Sequence, residues 1–99
     1  MLIVAGHFEV DPERREEFIR EREETMRKSR AEPGCIAYAF MADPIEPARV
    51  QLFERWENKD ALATHLAALR SAPRPASDIK ILGAEVLQYE VGEVGPVGS

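Results

Sequence analysis

The chain has 99 residues, enough for one domain with a small core. A formal charge of −5 and a pI of about 5.0 leave no basic face for nucleic acid or an anionic membrane, and no apolar run approaches the roughly 18 residues a membrane span needs. No basic region precedes an apolar one at the N-terminus, so no signal peptide is expected. The single cysteine, Cys35, excludes an intrachain disulfide and fits a reducing cytoplasm, the expected location; its ordinary reading is a small buried side chain.

"LIVAGHFEV" (2–10) is rich in β-formers and stops at Asp11-Pro12, which predicts a first strand. Asp11 suits an N-cap and Pro12 a first helical position, so a helix is expected from about Pro12 to Ala31. Phe18, Ile19, Arg22, Met26 and Ser29 follow one face, and Arg22 interrupts its apolar stripe. The other faces are charged. Glu16–Arg20, Glu23–Arg27 and Glu24–Lys28 stand at i, i+4 in the favourable order, as a solvated helix surface would. Pro33-Gly34 ends the helix. "CIAYAF" (35–40) reads as a second strand, "MADPIEPAR" (41–49) as a loop with two X-Pro steps, and "VQLFERW" (50–56) as a third strand. Asn58 is a plausible cap for a second helix over about Lys59 to Leu69. "RSAPRPASD" breaks that helix, "GAEVLQYEV" (83–91) is a fourth strand, and "GEVGPVGS" (92–99) is expected to be a flexible tail after a domain of residues 1–91.

The order is β-α-β-β-α-β. Right-handed crossovers place both helices on one face of a four-stranded antiparallel sheet, the ferredoxin-like α+β arrangement. The other face is then bare. Strict alternation sets Ile36, Tyr38 and Phe40 against Cys35, Ala37 and Ala39, and Val86 against Leu87, Tyr89 and Val91, so both faces carry apolar residues. A sheet with one wet face alternates more cleanly. The expectation is a homodimer in which two sheets pack face to face.

Strand period puts Leu52, Glu54 and Trp56 on one face; helix period puts Leu62, His65, Leu66 and Leu69 on the face the second helix must bury. His65 therefore points toward the sheet, and Glu54, Trp56 and His65 share a pocket if the first two lie on the helix side. Each also has an ordinary reading. His65 is then a hydrogen-bonded core residue, Trp56 core packing, and Glu54 a salt-bridged carboxylate. The chemical reading makes His65 a base, Trp56 a pocket wall with an N–H donor, and Glu54 the group that orients the ring. His7 in the first strand faces either the pocket or the dimer interface. There is no GxGxxG, P-loop or GxSxG motif, and two histidines with one cysteine make no recognisable zinc site.

"EPGCIAYAF" (32–40), "FERWENKDALATHL" (53–66) and the element order together resemble the antibiotic biosynthesis monooxygenase family of dimeric α/β-barrel proteins, most closely its small quinol-monooxygenase-like members, over the chain to about Val91. The resemblance implies a ferredoxin-like protomer that dimerises through its sheets. It also implies oxidation of a phenolic or quinol-type aromatic by O₂ without metal, flavin or haem. His65 would be the base, and Trp56, with Tyr38 or His7, would position the ring. Many relatives continue with a His-Phe pair after the second helix; here the chain reads "LRSAPRPASD" (69–78). The haem-degrading branch places its axial histidine in that later region, and no histidine follows His65, which disfavours a haem role. A non-catalytic small-molecule-binding or stress-responsive barrel is the main alternative, followed by a lactone isomerase.

Overall fold

Strand β1 (Leu2–Glu9) runs down the middle of the sheet. In the computed structural model, which describes residues 1–74 and 76–98, it is followed by a 3-10 turn (Pro12–Arg14), helices α1 (Arg15–Arg20) and α2 (Glu23–Ala31), strands β2 (Cys35–Ala42) and β3 (Arg49–Trp56), helix α3 (Lys59–Ser71) and strand β4 (Gly83–Glu90). Pro75, in the expected break after the second helix, and Ser99, at the end of the expected tail, lie outside the described residues. The strands pair in the order β2-β3-β1-β4, every pair antiparallel. With the helices on one face, this is the ferredoxin-like fold. Among the described residues no helix is long and apolar enough to cross a membrane.

The single helix expected over residues 12–31 is instead three pieces. Asp11 caps the first, its carboxylate accepting from the Glu13 amide at 2.9 Å. The break at Glu21–Arg22 has a local cause. The Arg22 guanidinium folds back and donates to the Phe18 carbonyl at 2.9 Å, the acceptor that a continuous α-helix would give to the Arg22 amide. That amide bonds the Ile19 carbonyl instead, at 3.0 Å. A side chain inserted into the i→i−4 ladder is a recognised cause of a kink. Two of the expected surface pairs form, Glu16–Arg20 and Glu23–Arg27, while Glu24 pairs with Arg27 and not with Lys28.

The second strand departs from strict alternation. A bulge between Cys35 and Ala37 adds one residue to β2 opposite β3 and shifts the parity before it. Ile36, expected beside Tyr38 and Phe40, is 44% exposed, and Cys35 packs against the core with them. Two clusters make up the core: Leu2, Tyr38, Trp56 and Leu62 in one, and Val10, Phe18 and Val50 in the other, with Phe40 packed against both. Two glycines are sterically required. A Cβ on Gly6 would collide with the Glu85 carbonyl oxygen, so β1 and β4 could not keep their pairing. Gly34 holds a left-handed φ of 84° in the turn into β2, and its carbonyl accepts from the Glu57 amide at 2.8 Å.

The sheet face away from the helices is uncovered in the single chain. Ile3, Phe53, Leu87 and Tyr89 share it by parity and register, and Leu87 and Tyr89 are 50% and 49% exposed.

Candidate active site

Along β3 the residues Val50, Leu52, Glu54 and Trp56 alternate buried with half-buried neighbours. Leu2 of β1, paired with Trp56, is in the same buried cluster. Glu54 and Trp56 therefore lie on the helix side. The chain then reverses at Asn58, whose side chain accepts from the Ala61 amide at 2.8 Å and starts α3. This turn brings Leu62 and His65 down over the end of β3. The buried face expected for this helix is shorter than its periodicity implied. Leu62 and His65 are buried, but Leu66 and Leu69 are 38% and 43% exposed. The C-terminal half of α3 lifts away from the sheet and leaves a cleft.

His65 is fully buried among aromatic rings. The Trp56 ring lies 4.6 Å from it, centroid to centroid, tilted at 35°, and Tyr38 meets it edge-on at 5.3 Å. Its Nδ1 is 3.0 Å from Oε1 of Glu32, at the C-terminal end of α2. A carboxylate only accepts, so the neutral ring carries its proton on Nδ1 and leaves a lone pair on Nε2. Nε2 is buried with no hydrogen-bond partner among the described residues; the nearest carboxylate oxygen, Glu54 Oε1, is 3.9 Å away, too far for one. Glu54 instead accepts from the Trp56 indole N–H at 2.9 Å.

Burial pushes the Glu54 carboxyl above the usual carboxylate range, outweighing the Trp56 hydrogen bond and the nearby imidazole, which pull it down. Burial likewise raises the Tyr38 phenol, with the charges of Glu54 and Glu32 adding to it. The Tyr38 hydroxyl thus stays protonated at neutral pH and is a donor, not a base. Burial is also the main reason the Cys35 thiol is held above its ordinary value, so it is no activated nucleophile.

The structure brings four of the five residues singled out from the sequence together: His65, Trp56, Tyr38 and Glu54. His7 is not among them. It sits on the opposite sheet face, in register with Gln51 and Glu85. Glu32 was missed as a partner because it comes from another element, 33 residues earlier in the chain; in sequence it reads only as the residue before a Pro-Gly turn. A cavity of about 320 Å³ lies between α2, β2 and the raised end of α3, lined by Arg22, Tyr38, Phe40 and Leu69 among others. A second cavity of about 460 Å³ shares Glu21, Thr25 and Leu69 with it and reaches Ser29 and Glu32. His65 lies behind this cleft, touching Tyr38 from one part of its wall and Glu32 from the other. Among the described residues no group of three or more His, Cys, Asp or Glu is placed to hold a metal ion.

A family model described as antibiotic biosynthesis monooxygenase matches residues 1–70. An uncharacterized protein of Synechocystis sp. (strain ATCC 27184 / PCC 6803 / Kazusa) is 34% identical over 94 residues, 93% of this chain and 64% of that protein's length. The chain thus spans under two thirds of that relative. "Putative monooxygenase YcnE" of Bacillus subtilis (strain 168) is 31% identical over 95 residues, 94% of this chain and 100% of its own length. Among solved structures, a "putative antibiotic biosynthesis monooxygenase" from Deinococcus radiodurans matches with a TM-score of 0.77 and 23% identity over 100% of both chains. The heme-degrader MhuD of Mycobacterium tuberculosis, solved with two hemes in its active site, matches at 0.69 and 18% identity over 96% of this chain and 100% of its own. At these identities the structural matches establish the fold alone. The matched residues 1–70, together with the full-length likeness to the Bacillus protein, place this chain in the antibiotic biosynthesis monooxygenase family.

Proposed function

We propose that this protein is a cofactor-independent monooxygenase that oxidises a phenolic or quinol-type small molecule with O₂, using His65 as its base. The observation that carries this reading is Nε2 of His65, buried with no hydrogen-bond partner among the described residues, on a ring whose other nitrogen is held by Glu32. A phenol reaching it through the cleft would supply the missing donor. It would give up its proton to Nε2 while Glu32 holds the ring through Nδ1. An electron-rich phenolate can then pass an electron to O₂. For a simple hydroquinone the reaction balances as one quinol plus one O₂ giving one hydroxyquinone plus one water. One oxygen atom enters the ring, the other leaves as water, and the substrate supplies all four electrons. Trp56 and Tyr38 flank the imidazole, and the protonated Tyr38 hydroxyl is a candidate donor to charge developing on oxygen.

One observation favours the alternative, a barrel that binds a small molecule without turning it over. His65, Trp56 and Glu54 line neither cavity of the cleft, so substrate reaches the base only if part of the cleft wall moves. A panel of hydroquinones and polyphenols, assayed for O₂ uptake with and without added metal or flavin, separates the two. The monooxygenase reading expects uptake at least about tenfold above autoxidation on some members, unchanged by the additions. No uptake across the panel leaves the binding reading.

A homodimer through the uncovered sheet face belongs to the same proposal. Its support is the exposed apolar side chains on that face, Leu87 and Tyr89 chief among them. Sedimentation at micromolar concentration is expected to give twice the 11.1 kDa of one chain; a monomer there would contradict it.

A further inference from the structure

Arg22 is the charged residue that interrupts the apolar stripe of the first helical region, and the structure gives it a defined seat. Its guanidinium carbon lies over the Phe18 ring, 3.4 Å from the centroid, with the Phe40 ring at 5.7 Å. Nη1 donates to the Phe18 carbonyl at 2.9 Å. Among the described residues no other guanidinium nitrogen of Arg22 has a hydrogen-bond acceptor. The group is half-buried, and loss of solvent is the main influence lowering its pKa, yet a guanidinium remains cationic throughout the physiological range. It lines the cavity of about 320 Å³ with Tyr38, Phe40 and Leu69.

The charge around that cavity is unbalanced. Glu21 is the one carboxylate in its wall, against the two guanidinium groups of Arg22 and Arg74. Glu21 accepts from the Ser77 hydroxyl at 2.9 Å and forms a long ion pair with Arg22, 3.8 Å from Nη1, which offsets part of that charge and leaves Arg74 as the excess cation. In a protein of net charge −5, a half-buried cation with open donors facing an aromatic-walled cavity is a selective feature. The volume lies near the lower end of small-molecule sites, about 300–1,000 Å³, which fits a molecule of one or two rings.

We propose that this cavity selects an aromatic substrate bearing an anionic substituent, a carboxylate above all, with Arg22 as its binding residue and Tyr38 and Phe40 as the walls for the ring. A carboxylate has the paired oxygens that a guanidinium edge bonds best. Tyr38 joins this cavity to His65, so a ring anchored by Arg22 is held on the side from which the base is approached. The inference rests on the monooxygenase reading for its reaction but not for its binding test.

That test is titration calorimetry under argon with 2,5-dihydroxybenzoate and its methyl ester, which share the ring and differ in the anion and one methyl group. The acid is expected to bind at least about tenfold more tightly than the ester, with the preference shrinking as salt rises. Arg22→Gln is expected to abolish the preference, and Arg22→Lys to keep part of it. Equal affinity for acid and ester, no binding of either, or a preference that survives Arg22→Gln would overturn the proposal. Should Arg22→Gln not fold, the comparison of acid with ester on the unaltered protein decides alone. An acid preference without any O₂ uptake would keep the anion site and remove the monooxygenase; uptake on neutral quinols with no acid preference would do the reverse.

Discussion

Replacing His65 with glutamine is expected to lower kcat by about 100-fold or more, the usual contribution of a positioned general base, while leaving the protein folded. Glutamine is chosen because its amide N–H can still donate to Glu32, so the half-buried carboxylate keeps a partner, and because its volume is close to that of histidine. What it lacks is a basic lone pair. The expected pattern is a collapse of kcat on any active phenol with a smaller change in KM, because in the proposed site Tyr38, Phe40 and Arg22 would share the binding of the substrate with the imidazole. Steady-state O₂ uptake, with circular dichroism to verify the fold, makes the measurement. Unchanged turnover in His65→Gln would remove the imidazole from the chemistry and return it to a core residue.

The second large effect is on stability. Trp56 is fully buried and belongs to the cluster of Leu2, Tyr38 and Leu62. Its indole N–H is also the hydrogen bond that Glu54 receives. Trp56→Ala removes a large ring from a close-packed site, a loss of about 3–5 kcal/mol, and strands a buried carboxylate, which adds about 1–3 kcal/mol. Small domains hold only about 5–15 kcal/mol in all, so the variant is expected to be largely unfolded near 37 °C. Trp56→Phe keeps one aromatic ring but loses the N–H and the volume of the five-membered ring, so it should cost less than Trp56→Ala. Urea unfolding of the three proteins reads this directly. A Trp56→Ala midpoint close to that of the unaltered chain would mean that the indole is not a keystone of the core.

Much of this site is legible in "VQLFERWENKDALATHL" (50–66). Alternation puts Glu54 and Trp56 on one face, Asn58 marks the cap, and the 3.6-residue period turns His65 inward. These inferences rest on local periodicity, which the backbone enforces. The sequence could not say which sheet face the alternation meant, because both faces carry apolar residues. The bulge that turns Ile36 outward and Cys35 inward is set by pairing with β3, a partner remote in sequence. The kink at Arg22 depends on a side chain returning to its own helix. The lifting of α3 near Leu69 reflects where tertiary packing stops, which an unbroken hydrophobic pattern conceals. Glu32, the partner of His65, comes from another element altogether, and only the fold brings the two together. Arg22 did leave a trace, as a charge within an apolar stripe, and that irregularity proved to border the cleft.

In the proposed reaction a buried imidazole nitrogen, without a hydrogen-bond partner among the described residues, takes the proton of a substrate that itself supplies every electron to O₂. The most direct measurement is the stoichiometry on an active quinol: O₂ consumed, hydrogen peroxide formed and product mass. One O₂ consumed per quinol, no hydrogen peroxide, and a product heavier than the quinone by one oxygen atom are expected. Hydrogen peroxide equal to the O₂ consumed, with the simple quinone as product, would contradict it.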